Sequence, residues 1–182
     1  MKDFNRFNVS YKEFREQFET INNPVDTALI ATIYCGYARV GEIVRGRYNP
    51  TPCIQRSDVE FTPKHLFLTI HTEKIKSIRK VPTSRALEDW LHEPIRNHLN
   101  VVEGNNLFDY STRWAEKRFE KCFGTQHIHL LRHWACTHAL QGHRSKGKLA
   151  MQDIARLGGW SNTSIPFKVY GHFVTEDIAR DV

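Results

Sequence analysis

The chain has 182 residues, 40% of them hydrophobic and 25% charged, which suits one globular domain large enough to bury a core. Lys and Arg total 26 against 20 Asp and Glu, a net charge of +6 and a pI near 9.2, so a polyanionic partner is admitted without being required. No apolar run nears the ~20 residues of a membrane-spanning helix, and the N-terminus MKDFNRFNVSYKEF has no apolar signal core. Cys35, Cys53, Cys122 and Cys136 have no paired spacing, so reduced thiols in a cytoplasmic protein are expected.

Ser10 followed by Glu13 is a capping-box signature, and Tyr11, Phe14, Phe18 and Ile21 recur at helical spacing. Asn22-Asn23-Pro24 ends that helix, and Pro24 suits the first turn of the next. Residues 25–35 form a strongly apolar stretch that predicts a buried helix leading into GYARVGE, which holds Arg39 and Glu42. Taken alone, that pair is better explained by a surface i,i+3 ion pair than by an anion site. Arg45, Arg47 and Arg56 follow in a Pro-containing loop. Two β-like runs, 65–71 and 78–81, flank the polar TEKIKS, which predicts a hairpin with Lys74 and Lys76 near its tip. Such lysines are usually solvated; one that reaches into a cationic groove can act as a proton donor.

From Thr83 the spacing turns helical, with Thr83 or Ser84 as a cap and Leu87, Trp90, Leu91, Ile95 and Leu99 on one face. EGNN (103–106) predicts a turn, Ser111 or Thr112 a cap, and Gly124 a helix end. A helix over about 129–140 carries His129 and Arg132 three residues apart, hence on one face. The basic loop GHRSKGK (142–148), with Arg144, Lys146 and Lys148, separates it from LAMQDIARLG. Trp160 follows, then Ser161-Asn162 as a candidate cap with Pro166 interrupting or beginning the next helix, and then Tyr170. The tail 173–182 is amphipathic.

In order, Arg39, Lys74, His129-x-x-Arg132, Trp160 and Tyr170 resemble the catalytic domain of the tyrosine recombinase (phage integrase) family. Each piece is weak; the ordered set is specific. The resemblance spans residues 25–175. It implies an α+β, mostly α-helical catalytic domain with a small antiparallel sheet, filling 1–182 with its core at about 22–175. Two spacings run longer than in the family: Arg132 to Trp160, with the excess in QGHRSKGK, and Trp160 to Tyr170. Family members usually carry an N-terminal DNA-clamping domain; residues 1–21 alone precede the core here, so that domain is expected to be absent.

Cleaving a phosphodiester with a protein hydroxyl needs an in-line nucleophile, charge neutralisation on the non-bridging oxygens and a proton for the leaving alkoxide. An arginine fork donates two parallel charge-assisted hydrogen bonds to phosphate. The resemblance implies a 3′-phosphotyrosine at Tyr170 and assigns Arg39 and Arg132 to the scissile phosphate. It gives His129 the same phosphate and proton transfer with the tyrosine. Lys74 becomes the general acid, Trp160 a phosphate contact and Glu42 a supporting residue. Arg45, Arg47, Arg56, Lys76, Arg144, Lys146 and Lys148 are candidate contacts to double-stranded DNA. No acidic cluster looks built for magnesium, so a route without cofactor or metal is expected. The resemblance further implies a homo-tetramer on DNA from protein that is monomeric in solution.

The function implied is site-specific recombination or integration, as in mobile elements. Two alternatives share the fold: a DNA-binding protein without catalysis and a type IB topoisomerase-like relaxing activity. A separate rival is a zinc site, since Cys122, His127, His129, His133, Cys136, His138 and His143 crowd one stretch, although their spacing fits no common finger.

Overall fold

A computed structural model describes residues 3–45, 53–72 and 77–178, with 172–178 described by backbone alone. Arg47, Lys74 and Lys76, and the end of the tail (179–182), lie outside the described residues.

The hub is α2 (Pro24–Cys35), where Ala28 to Cys35 are all buried. Its ends are well specified. The Asn23 side chain accepts from the Val25 and Asp26 amides, and Pro24 occupies the first turn, where no N–H is needed. α1 (Tyr11–Glu19) opens with the expected capping box, Ser10 and Glu13 bonding reciprocally, and turns Phe14 and Phe18 inward. Ahead of α1, Phe4 and Val9 are buried. That segment is tied to α6 (Leu130–Leu140) by Trp134 Nε1–H donating to the Arg6 carbonyl (2.9 Å) and His138 Nε2–H donating to the Val9 carbonyl (2.7 Å).

β1 (Val59–Phe61), β2 (His65–His71) and β3 (Ile78–Ser84) form an antiparallel sheet in the order β1-β2-β3. On β2, Leu66, Leu68 and Ile70 face the core; on β3, Arg79, Val81 and Thr83 do. The period-2 alternation of a half-buried strand is therefore kept, with a charged residue at one inward position. Two expectations are corrected. β1 is an additional strand, and β3 runs three residues past Val81. Thr83 is a strand residue bonded to the His92 ring (2.7 Å), and Ser84, the other candidate, takes the N-cap position without a side-chain cap bond.

α4 (Arg85–Val101) leaves helical geometry at Glu88, whose carboxylate turns to Arg144. α5 (Thr112–Phe123) is capped by Ser111 through the Trp114 amide and ends at Gly124 in the left-handed region. α7 (Met151–Gly158) and α8 (Ser164–Ile178) complete the order. Asn162 Oδ1 accepts the Ser164 amide (3.0 Å), so Pro166 falls in the first turn of α8 and begins it. The described residues are mostly helical with one small antiparallel sheet, as expected, and none of the described helices is long and apolar enough to cross a membrane.

Candidate active site

The site is assembled around one buried carboxylate. Arg39 precedes the short helix α3 (Val40–Ile43), and Glu42 Oε2 reaches back to the Arg39 amide (2.9 Å). Glu42 also accepts from Arg39 Nη1 (3.2 Å) and Arg79 Nη2 (2.8 Å), with Arg132 Nη1 at 3.9 Å. Burial alone would raise the Glu42 pKa. The Arg79 guanidinium overrides it, helped by the Arg39 amide and Arg132, and holds the carboxylate below its usual range. Three guanidinium groups against one carboxylate leave two net positive charges, which suits the doubly negative phosphorus of a displacement transition state.

Arg79 is fixed rather than free. Its Nε donates to the Leu157 carbonyl (2.9 Å) and its Nη1 to Thr72 Oγ1 (2.8 Å). Arg132, on the first turn of α6, is 1% exposed and donates from Nη2 to the Gly158 carbonyl (2.8 Å). Its Nη1 is buried without a hydrogen-bond partner among the described residues. Burial, and then the nearby Arg39 cation, lower its pKa to about 10, so it stays charged at neutral pH at a cost that an incoming anion relieves.

The motif LGGW has a local explanation. Gly159 ends α7 at φ +71, and a Cβ on Gly158 would come within 1.9 Å of the Trp160 ring. Two glycines thus let Trp160 fold back until its ring lies 4.0 Å from the Arg132 guanidinium, a cation–π stack.

His129 stands exposed at the start of α6. Partial desolvation, then Arg132 and Arg39, pull its pKa down to about 4. Tyr170, on α8, is fully buried, its ring 6.2 Å from that of Trp160. Its hydroxyl lies 2.7 Å from His133 Nδ1 and also meets Cys136. Burial, with Cys136 adding to it, raises the phenol pKa above its ordinary value, and Arg132 offsets only part of this. Phe7 lies over this pair, its ring centroid 3.9 Å from His133 and 5.8 Å from Tyr170.

Arg39, Glu42, His129, Arg132, Trp160 and Tyr170, spread over 132 positions of sequence, thus meet through a continuous set of contacts. Two members escaped the sequence. Arg79 had a signal: it is an arginine at an inward-facing position of an alternating strand. His133 lies one helical turn beyond His129 on the same face, among histidines too many to rank by spacing.

Arg144 is a correction. It is not placed to touch DNA, because it is buried and donates to Glu88 Oε1 (2.6 Å) and Oε2 (3.2 Å). Arg45, Arg56, Lys146 and Lys148 are exposed. The crowded Cys/His stretch does not converge on one point. Both His138 nitrogens are taken by Val9 and Tyr34, while His133 serves Tyr170. Among the described residues the one grouping close enough for a metal is Cys35, Glu88 and His92, and there Arg144 already holds both Glu88 oxygens.

No protein-family model and no curated protein matches the sequence. Solved structures do resemble the fold. XerH site-specific recombinase bound to its difH substrate, in a pre-cleavage complex, aligns with a TM-score of 0.68 at 14% identity, over 92% of this chain and 51% of that one. XerH in a post-cleavage complex with a palindromic difH substrate aligns at 0.65 and 16% identity, over 97% and 53%. A Tn1549 transposon integrase in complex with transposon right end DNA aligns at 0.54 and 13% identity, over 94% and 65%. The chain spans about half the length of the recombinase chains. At these identities the likeness concerns architecture, and the chain has the fold of a tyrosine recombinase catalytic domain.

Proposed function

We propose that this chain is the catalytic domain of a tyrosine-type DNA strand transferase, acting in site-specific recombination or integration through a 3′-phosphotyrosine. The observation that carries this reading is the Arg132 Nη1: a buried cationic donor with no hydrogen-bond partner among the described residues, in a cluster of three arginines and within one aromatic ring of a tyrosine. A buried donor left unbonded costs about 1–3 kcal/mol, which a phosphate oxygen would recover.

The reaction follows from the groups. Arg39 and Arg132 neutralise the non-bridging oxygens while Glu42 and Arg79 hold them in place. Tyr170 Oη gives its proton to a neighbouring histidine and forms a bond to phosphorus as the P–O5′ bond breaks, and Lys74 protonates the departing oxygen. The free 5′-hydroxyl of the same or another strand reverses these steps, so rejoining needs no high-energy cofactor. Tyr170 is fully buried, so its surroundings must open before a strand can reach the hydroxyl. Arg45, Arg56, Lys146 and Lys148 supply backbone contacts, with Arg47 and Lys76 as further candidates; binding then weakens steeply with salt through counterion release. Assembly as a tetramer on DNA belongs to this reading.

The full burial of Tyr170 favours, as a second reading, a DNA-binding protein that no longer cleaves. One assay separates the two. The protein is incubated with nicked duplex DNA, denatured and examined for a covalent adduct, with Tyr170→Phe alongside. The expected adduct forms with the native chain and vanishes in the variant. Salt-sensitive binding with no adduct selects the second reading, and an adduct that survives Tyr170→Phe removes that tyrosine from its role. Relaxation of supercoiled DNA without strand exchange would instead mark a topoisomerase-like activity.

A further inference from the structure

The family resemblance gives proton transfer with the tyrosine to His129, but the geometry around Tyr170 points elsewhere. His129 is exposed and has no hydrogen bond to the phenol; its ring stands edge-on to that of His133 at 5.0 Å. The imidazole that touches the reacting oxygen is His133, with Nδ1 2.7 Å from Tyr170 Oη. That distance is within the reach required of a general base.

We propose that His133 is a catalytic residue of the cleavage step, its Nδ1 taking the phenolic proton of Tyr170 as the oxygen bonds to phosphorus. This rests on the strand-transfer reading above. The proton inventory closes. In cleavage the Tyr170 O–H bond breaks, its proton passes to His133 Nδ1, the O–P bond forms, the P–O5′ bond breaks, and the 5′ oxygen takes a proton from the general acid. In the covalent intermediate the phosphodiester anion bonded to Tyr170 faces the imidazolium and favours its charged form. In rejoining, the 5′-hydroxyl returns its proton to the acid and attacks, the P–O bond to Tyr170 breaks, and His133 returns its proton to the phenol.

Three features fit this role. Nδ1 accepts only in the Nε2–H tautomer; Nε2 has no hydrogen bond to a described residue, and the half-buried ring leaves its outer edge to water. Phe7 packs against the ring, tilted by 38° with the centroids 3.9 Å apart, and limits the turning of the imidazole. The resting pair is also silent. Burial, then His129 and Arg132, hold His133 neutral by lowering its pKa to about 3, while burial raises that of the phenol. The proton therefore stays on oxygen until bond formation to phosphorus makes it acidic, and no free phenolate waits in the site.

The test is the rate of adduct formation on nicked duplex DNA. His133→Asn keeps an acceptor for the phenol but cannot carry its proton; His133→Gln is run beside it, and the variant that keeps the native melting profile is used. The expected result is a loss of about a hundredfold or more in rate, with DNA affinity within a few-fold of native. Replacing Tyr170 by 3,5-difluorotyrosine, a more acidic phenol, is expected to restore much of the rate in the variant and to change the native rate little. A residue that merely holds the ring would give the same fluorotyrosine effect in both backgrounds, and that outcome overturns the proposal. So does a His133 variant cleaving within about twofold of native. If either occurs while Tyr170→Phe still abolishes the adduct, the strand-transfer reading survives without His133. An adduct indifferent to Tyr170→Phe, or none from the native chain, removes the parent reading and this one with it.

Discussion

Arg132 and Arg144 are both buried guanidinium groups stacked on aromatic rings, yet the protein uses them oppositely. Arg144 spends its donors internally. Nε and Nη2 go to the Glu88 carboxylate, Nη1 to the Tyr34 carbonyl (3.1 Å), and its faces lie 4.3 Å from both Tyr34 and Tyr37. Burial works against its charge, but Glu88 overrides it and the pKa rises well above normal. Among the described residues Arg132 has one close acceptor, a backbone carbonyl, and it shares a carboxylate 3.9 Å away with two other arginines. Its pKa falls. A guanidinium matched by its own counter-ion is architecture. One that is buried, crowded by cations and short of an acceptor would be relieved by an anion from outside, as the proposed function requires.

The sharpest way to break this comparison is to remove each group in turn. Arg144→Ala strands the Glu88 carboxylate in the core and is expected to cost about 3–5 kcal/mol. That is a large share of the roughly 5–15 kcal/mol that stabilises a domain. Thermal melting would report it, and the paired change Glu88→Leu with Arg144→Met should recover most of the loss, because a buried ion pair is often replaceable by apolar groups. An Arg144→Ala variant that melts like the native chain would end the structural reading of that pair.

Arg132→Ala is expected to do the reverse. Covalent adduct formation should fall by about 10²–10³, as for removal of a positioned donor at an oxyanion. The stability cost should be the smaller of the two, since the Gly158 carbonyl loses one donor and Glu42 keeps Arg39 and Arg79. Equal destabilisation in both alanine variants would erase the distinction.

What the sequence disclosed follows the same line. Local patterns were legible: the Ser10–Glu13 capping box, the apolar α2, the hairpin strands, the HxxR helix and the Trp160-to-Tyr170 run all obey short-range spacing. The missed features depend on partners far along the chain. Arg144 sits in GHRSKGK, as polar a loop as any; Gly142 at φ +85 turns the chain there, and Glu88, 56 positions earlier, accepts the guanidinium. Arg79 became a site residue because β2 and β3 pair in a register that sets it opposite Ile70 and turns it inward, toward Glu42. Tyr170 was legible as a type in a position. That it lies under Phe7 with its hydroxyl on His133 depends on an N-terminal segment packing against α6, which periodicity does not encode.

Acid sharpens the comparison more gently, through Glu42. Its folded pKa lies below the ordinary carboxylate value, so the unfolded chain takes up a proton first as pH falls. The stabilisation from Glu42 is complete above about pH 4.5 and is lost as pH drops through the folded value. It amounts to about 1.4 kcal/mol for each pH unit that separates the folded from the unfolded pKa. Glu42→Gln should therefore melt lower than the native chain at pH 6, and the difference should shrink as pH falls below about 4.5 and through the folded value. Parallel curves across that range would mean that Glu42 does not serve as the counter-ion of the arginine cluster.

The smallest effect tests the unbonded Arg132 donor directly. An anion that binds the folded chain alone stabilises it by RT ln(1 + [L]/Kd), about 1.4 kcal/mol at ten times Kd. For a chain of this size that raises the melting temperature by about 3–6 °C. Inorganic phosphate should produce this rise in the native protein and not in Arg132→Ala, while chloride at matched ionic strength should not. An equal rise in both proteins would place the anion at exposed lysines instead. Arg144 supplies the internal control: its donors are already taken, so a core variant that keeps Arg132 and remains folded, such as Glu88→Leu with Arg144→Met, should retain the full response to phosphate.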